Sequence, residues 1–258
     1  MFNTIAVSGG HSANCLGAVS YVNEYEECQK IASEVMRILK LNGKNVIDCN
    51  SNARTENGEL SERVRKANNS GADFMLDIHL DAYKKDTAFG CTAYILGFGG
   101  RAENVAYRLT NNVSQLYFHN RGVKTANYYV LRNTNMPCVL LEVCFCDNMK
   151  DVWNLQHVGY TAIATEIVKA ILNVSSVDVG GGGCNVSVDI PNGDVHGRYK
   201  VTANGGLNVR DGRGTNCNII GNLTNGTIVE PWYCLNGWVS FSFKNTTGYI
   251  SSKYLTKI

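Results

Sequence analysis

At 258 residues, 44% of them apolar and 18% charged, the chain has room for one medium domain and one small module, each with its own core. Its 26 glycines and three prolines are too few for general disorder, and no apolar run reaches the length of a membrane span. The net charge of +2 hides an asymmetry: residues 1–173 balance at 17 bases against 17 acids, 174–196 carry three acids and no Lys or Arg, and 197–258 carry seven bases against two acids.

The first residues, Met1-Phe2-Asn3-Thr4, lack a basic leader region and run directly into a β-branched strand over 4–7. No secretory signal is expected there, so the chain is read as made in the cytoplasm. Residues 24–41 carry helical periodicity through Ile31, Val35, Ile38 and Leu39, with Asn23 as N-cap and Gly43 just past the end. Strands are expected at 45–49, 74–80, 91–96, 128–131 and 138–145. Helices are expected at 61–70, closed by Gly71, and around 101–118 and 151–172. This alternation predicts an α/β fold with a mostly parallel sheet between helices, whose chemistry collects at the carboxyl ends of the strands. Four glycines, Gly180 to Gly183, mark a linker placed at 174–196. Beyond it, short runs at 199–202, 207–210, 228–230, 238–243 and 248–250, separated by Gly and Asn turns, predict a small all-β barrel of about 60 residues.

Ten cysteines suggest a disulfide framework, but they are scattered through the elements of a chain larger than the usual disulfide-stapled domain. Cys144 and Cys146 share one strand face and read as buried thiols rather than a zinc pair.

Two histidines stand at strand ends, His11 after Gly9-Gly10 and His79 in Asp77-Ile78-His79-Leu80-Asp81, and Glu24 opens the first helix between them. Two imidazoles and a carboxylate leave a zinc ion a fourth position for water. Metal-assisted hydrolysis also needs a proton carrier, and Glu142, in the apolar run Cys138-Val139-Leu140-Leu141-Glu142-Val143, is the candidate. Each residue also has an ordinary structural reading, with Glu142 paired to a core Arg such as Arg132. Glu26 and Glu27 lie close enough to Glu24 to shift the ligand position. Asp81 either orients a ligand imidazole or faces solvent. His119, His157 and His196 read as surface residues, in a turn, near a helix start and in the linker, and Arg101 and Arg121 as surface charges.

Residues 3–173 resemble the type-3 N-acetylmuramoyl-L-alanine amidase family, especially its clostridial phage endolysins. The matching motifs are Gly10-His11, Asn23-Glu24-Tyr25, Ile78-His79-Leu80-x-Ala82, and Leu140-Leu141-Glu142-Val143-x-Phe145-Cys146-Asp147-Asn148. The resemblance implies zinc bound by His11, Glu24 and His79, with Glu142 as general acid/base, and hydrolysis of the amide between N-acetylmuramic acid and L-alanine in peptidoglycan.

Residues 197–258 resemble bacterial SH3 domains through Gly206-Leu207-Asn208-Val209-Arg210, Asn236-Gly237-Trp238 and Gly248-Tyr249-Ile250. This implies wall binding, with Tyr199, Trp232, Tyr233, Trp238, Tyr249 and Tyr254 as a candidate aromatic face, roughly half of them core instead. The basic charge adds anionic wall polymers as candidate partners; no motif points to nucleic acid or membrane insertion. The chain therefore reads as a phage or prophage lysin, with an inactive wall-binding protein and a stem-peptide zinc peptidase as rivals.

Overall fold

The first apolar run forms β1 (Thr4–Gly9), buried from Ile5 onward, in a computed structural model that describes residues 2–180, 190, 192–203 and 205–258. The helix α1 (Glu24–Leu41) follows, with the Asn23 side chain accepting from Glu26 N as its N-cap. It buries Cys28, Ile31, Ala32, Val35, Ile38 and Leu39, an apolar stripe spaced for one helix face. β2 (Asn45–Asp48), α2 (Glu56–Asn68) and β3 (Phe74–Asp81) complete the first half. The second half runs β4 (Cys91–Ile95), α3 (Arg101–Ser114), β5 (Asn120–Thr125), α4 (Tyr129–Asn133), β6 (Cys138–Phe145), α5 (Met149–Val158) and α6 (Tyr160–Leu172).

These strands form one sheet in the order β2-β1-β3-β6-β4-β5, parallel throughout except at the β4–β6 pairing. One face packs on α1, α3 and α6 through residues such as Ile5, Val7, Leu109 and Ile167. The other packs on α2 and α4 through Ala6, Met75, Leu140, Val64 and Val130. β6 is laid between β3 and β4, so the ends of β1, β3 and β6 lie side by side.

Four elements of the first unit differ from expectation, the first being β5, at residues where no strand was expected. Residues 128–131, read as a strand, belong to α4: after β5 the chain must cross the α2 face to reach its slot beside β3, and Val130 and Leu131 bury there as a short helix. The long helix of 151–172 is two, broken at Gly159, whose φ of +82° is outside the helical region. α2 begins five residues earlier than expected, at Glu56, with Thr55 as N-cap. That adds Glu59 to the helix.

The described residues of the second unit form β-strands and one short 3-10 turn, Ser252–Tyr254. The strands are β7 (Gly193–Asp194), β8 (Tyr199–Val201), β9 (Leu207–Arg210), β10 (Ile219–Leu223), β11 (Ile228–Val229), β12 (Tyr233–Leu235), β13 (Trp238–Phe243), β14 (Thr246–Ser251) and β15 (Leu255–Lys257). They form a six-stranded sheet, β10-β9-β14-β13-β12-β7, and a three-stranded one, β11-β8-β15, around a core including Val201, Val209, Val239 and Ile250.

The stretch read as a linker contributes to both units at its ends. Val177 and Val179 pack against the first core, and Asn42 brackets Asp178 with two hydrogen bonds, 2.7 and 2.9 Å. Ile190 and Val195 are core residues of the second. Gly181 to Gly183 lie outside the described residues. The nine described cysteines are free thiols, and Cys184 also lies outside. Among the described residues no helix is long and apolar enough to cross a membrane.

Candidate metal centre

β1 ends at Gly9, whose N–H is taken by Asn50 Oδ1 at 2.8 Å. Gly10 lies flat against the His79 ring: a Cβ there would sit 2.3 Å from Cε1. His11 follows with φ +69°, a left-handed backbone that costs a non-glycine residue about 1–2 kcal/mol. Strain of this kind persists where surrounding contacts hold it, commonly at functional sites.

Glu24 occupies the first turn of α1, where the positive end of the helix dipole favours a carboxylate. Its Oε2 accepts from Ala18 N at 2.9 Å, while Oε1 accepts from Leu80 N at 3.3 Å and faces both imidazoles. His11 Nε2 and His79 Nδ1 each lie 3.0 Å from that same oxygen. The rings meet edge to face with centroids 5.0 Å apart. Ligand atoms of a tetrahedral zinc ion stand about 3.3 Å from one another, so this spacing fits a small cation. Among the described residues it is the one His/Cys/Asp/Glu cluster with such geometry. Glu26 is exposed and Glu27 is engaged by Lys30 at 2.8 Å and Tyr160 at 2.7 Å, so Glu24 alone of the three acids reaches the histidines.

Behind the rings lies a network that the sequence analysis did not single out. Glu59 Oε1 is 3.4 Å from His11 Nδ1, and Asp77 Oδ2 is 3.3 Å from His79 Nε2. Arg63, 1% exposed, donates to Glu59 at 3.2 Å and to both oxygens of Asp77 at 3.0 Å. Ser8 Oγ donates to Asp77 at 2.6 Å.

Glu24, Glu59 and Asp77 against Arg63 leave two formal negative charges around the triad. Without a metal, protons answer that charge. Burial alone would push the Glu24 carboxyl up, but hydrogen bonds from His11 and His79 hold it at about 2. Burial likewise opposes a charge on His79, yet Asp77 and Glu24 outweigh it and raise the imidazole to about 10. His11 is raised against burial by Glu24 and Glu59. A centre whose negative charge raises both imidazoles suits a cation in place of their protons.

Glu142 stands directly beside His79 in the β3–β6 register, with Thr92 of β4 opposite it on the other side. Paired residues share a sheet face, so the carboxyl lies beside the triad rather than in it. Its Oε2 is shielded from solvent without a hydrogen-bond partner among the described residues. Burial, opposed by His79 and assisted by Asp81, Glu24 and Asp77, pushes its pKa up to about 8. Arg132 does not pair with it; that guanidinium donates to Asn127 O at 2.7 Å and lies over the Tyr129 ring.

Asp81 accepts from Ala82 N at 2.8 Å, and neither imidazole is among its hydrogen-bond partners. The acceptor behind His79 is Asp77, two residues before it on the same strand face. Cys144 and Cys146 lie in the core. His119 and His196 are exposed, whereas His157, expected near a helix start, lies at the end of α5 stacked on Trp153. Arg101 lies over Phe2 and Arg121 over Phe145. In the second unit Tyr199 is core, Trp232 and Tyr254 are exposed, and Tyr233 and Tyr249 flank Arg213 at 5.6 and 4.8 Å. Trp232 lines a groove with Arg198, Glu230, Phe243 and Lys244.

Gly17 gives a local test of the triad. Its φ is +70°, and a Cβ would fall 2.4 Å from both Glu24 Oε2 and His11 Cδ2. Gly17→Ala is expected to displace both ligands and weaken metal binding about tenfold or more, read by chelator competition, with the far-UV spectrum unchanged.

Residues 5–173 match the family model described as N-acetylmuramoyl-L-alanine amidase, and residues 205–256 match that of the bacterial SH3 domain. A Clostridium perfringens protein of uncharacterised function is 38% identical over 171 residues, covering 65% of this chain and 51% of its own length. The N-acetylmuramoyl-L-alanine amidase LytC of Bacillus subtilis is 31% identical over 172 residues, 64% of this chain and 34% of that protein. The chain thus spans about half, or less, of the length of these curated relatives. Among solved structures, the catalytic domain of an endolysin targeting Clostridia difficile superposes with a TM-score of 0.62 at 27% identity, over 67% of this chain and 98% of that domain. With the matched region holding the whole sheet, its helices and the His11–Glu24–His79 triad, this chain belongs to the N-acetylmuramoyl-L-alanine amidase family.

Proposed function

We propose that the chain is a zinc-dependent peptidoglycan amidase that cleaves the bond between N-acetylmuramic acid and L-alanine. The observation that carries this is the convergence of His11 Nε2 and His79 Nδ1 on one oxygen of Glu24, with Glu142, whose buried Oε2 has no hydrogen-bond partner among the described residues, in the adjacent register position. Family membership supplies the substrate. Bound zinc would supply a Lewis acid for the scissile carbonyl and the attacking water.

The chain's own residues do the rest. His11, Glu24 and His79 would hold the metal at the carboxyl ends of the strands, fixed by the end of β1, the start of α1 and the end of β3. Glu142 takes the proton from the attacking water and delivers it to the departing alanine nitrogen. A pKa of about 8 without metal falls toward the working range once positive charge fills the triad, which suits a group that must both accept and donate. Digestion of purified wall tests the reading: new L-alanine amino termini with intact glycan are expected. Release at another stem-peptide bond would make it a zinc peptidase, and no release an inactive wall-binding protein.

The SH3-like unit is read as the wall-binding module, and the full chain as a phage or prophage endolysin, made in the host cytoplasm and acting on the wall after release. Its likeness to an endolysin catalytic domain supports this.

Metal and protons compete for the same nitrogens, so binding is coupled to pH. His79, raised to about 10, gives up its proton to bind zinc, and so does His11 where it is charged. Zinc affinity is expected to rise with pH from 6 to 9, with net proton release measurable by calorimetry in buffers of different ionisation enthalpy. The stability that charged His79 gives the metal-free fold is complete below about 6.5 and is lost as pH rises through about 10. Stabilisation by zinc is therefore largest on the alkaline side.

A further inference from the structure

The two ligand histidines present opposite nitrogens to Glu24: His11 offers Nε2 and His79 offers Nδ1. For a cation to replace the protons that these nitrogens share with Glu24, each ring must keep its remaining proton on the other nitrogen, so the two rings need opposite tautomers when metal is bound. The nitrogens facing away are the ones met by Glu59, at 3.4 Å from His11 Nδ1, and by Asp77, at 3.3 Å from His79 Nε2, where Arg63 Nη1 also stands at 3.3 Å. A carboxylate that accepts an imidazole N–H fixes tautomer and ring orientation together.

Both carboxylates are held by one side chain. Arg63 reaches Glu59 through Nη2 and Asp77 through Nη1, two donors in a fixed planar fork where an ammonium offers one rotating point charge. Arg63 and Glu59 are one helical turn apart on α2, and Asp77 sits on β3, so the fork spans two elements. We propose that Arg63 is a positioning residue that sets the opposite tautomers of His11 and His79 through Glu59 and Asp77, making the metal site ready-formed before the ion arrives.

A purely structural ion network is the alternative, and two features weigh against it. Buried ion pairs contribute little net stability compared with apolar packing, and here three charged groups are at most 1% exposed. Glu59 also keeps Oε2 buried with no partner among the described residues, a cost that stability alone does not justify. Its Oε1 instead faces both Arg63 and the back of His11.

The inference rests on the zinc reading, and the test separates the two. Zinc affinity of the full chain is measured by chelator competition, with the visible spectrum of the cobalt-substituted protein as a report on ligand geometry. Glu59→Ala and Arg63→Lys are expected to weaken zinc binding about 10- to 100-fold and to alter the cobalt bands. Glu59→Gln, which keeps an oxygen facing His11 Nδ1, is expected to recover a large part of the affinity. It also serves if the alanine variant fails to fold. A wild type that binds zinc, with affinity and cobalt spectrum unchanged in Glu59→Gln and in whichever of the other two variants folds, would overturn the clamp alone, even if their melting temperatures fell. A wild type that binds no zinc would overturn the metal reading and the clamp with it.

Discussion

Glu142→Gln is expected to lower hydrolysis by about 10²–10⁴-fold, the usual contribution of a positioned acid/base group, while the purified protein keeps one zinc per chain. The amide fills the same space between β3 and β4 but neither gives up nor takes a proton at neutral pH. Release of L-alanine amino termini and zinc content, measured on the same sample, check both halves; normal hydrolysis by the variant would remove Glu142 from the mechanism. The substitution carries a second signature, in stability. A carboxyl whose pKa is raised to about 8 keeps its proton in the folded chain where the unfolded chain has lost it. Its contribution therefore falls as pH rises from about 4.5 to 8. Glutamine escapes that penalty, so the metal-free variant is expected to melt above the metal-free wild type at pH 8 and to converge with it below pH 5. A group that costs stability and is retained is a sign of function.

His79→Ala is expected to have the other largest effect: zinc lost from the purified chain, and wall hydrolysis reduced to background at any zinc concentration that the wild type needs. Chelation of the wild type reproduces the loss, and added zinc reverses it only where His79 is present. The reason lies in the shared oxygen. Glu24 Oε1 is positioned by both rings, so removing one leaves a carboxylate and a single imidazole, too few ligands for a tight site. It also strips Asp77 of its imidazole and leaves that acid to Arg63 and Ser8. Metal content by emission spectroscopy and melting temperature, measured together, separate loss of the ion from loss of the fold. Full zinc occupancy in the variant would mean that the triad is not the metal site.

Much of this was legible in the chain itself. Apolar periodicity marked α1 to the residue, because its buried stripe, its Asn23 cap and Gly43 all agree. The strands bearing His79 and Glu142 were marked by continuous apolar runs, as expected where both faces of a sheet are covered. His11, His79 and Glu142 stood out because each is a polar group at the edge of, or inside, an apolar run, whereas Glu24, with Glu26 and Glu27 beside it, was favoured by the Asn23-Glu24-Tyr25 context of the family resemblance. Short segments were less legible. The run at 128–131 has strand-like composition, but its conformation is decided by a crossing over α2 that no local signal records.

The Glu59–Arg63–Asp77 network shows the same boundary more sharply. Its signal was present: Glu59, Arg63 and Ala67 recur at four-residue spacing on the buried side of α2, so two charges lie on an apolar stripe. Starting the helix at Ser61 hid that pattern by leaving Glu59 outside it. Asp77 and His79, two apart on β3, share a face by the period of the strand alone.

The sequence by itself determined the two-unit plan, the alternation of strands and helices, and which residue types could bind a metal and move a proton. Those follow from short-range periodicity and from the cost of placing polar groups among apolar ones. Only the tertiary structure decided that β6 lies beside β3, so that Glu142 meets His79, and that Glu24 rather than its neighbours turns toward both imidazoles. It also decided that one buried guanidinium stands behind the pair. Glu24 and His79 are 55 positions apart and His79 and Glu142 stand on different strands, contacts set by strand order and helix packing, which a one-dimensional pattern does not encode.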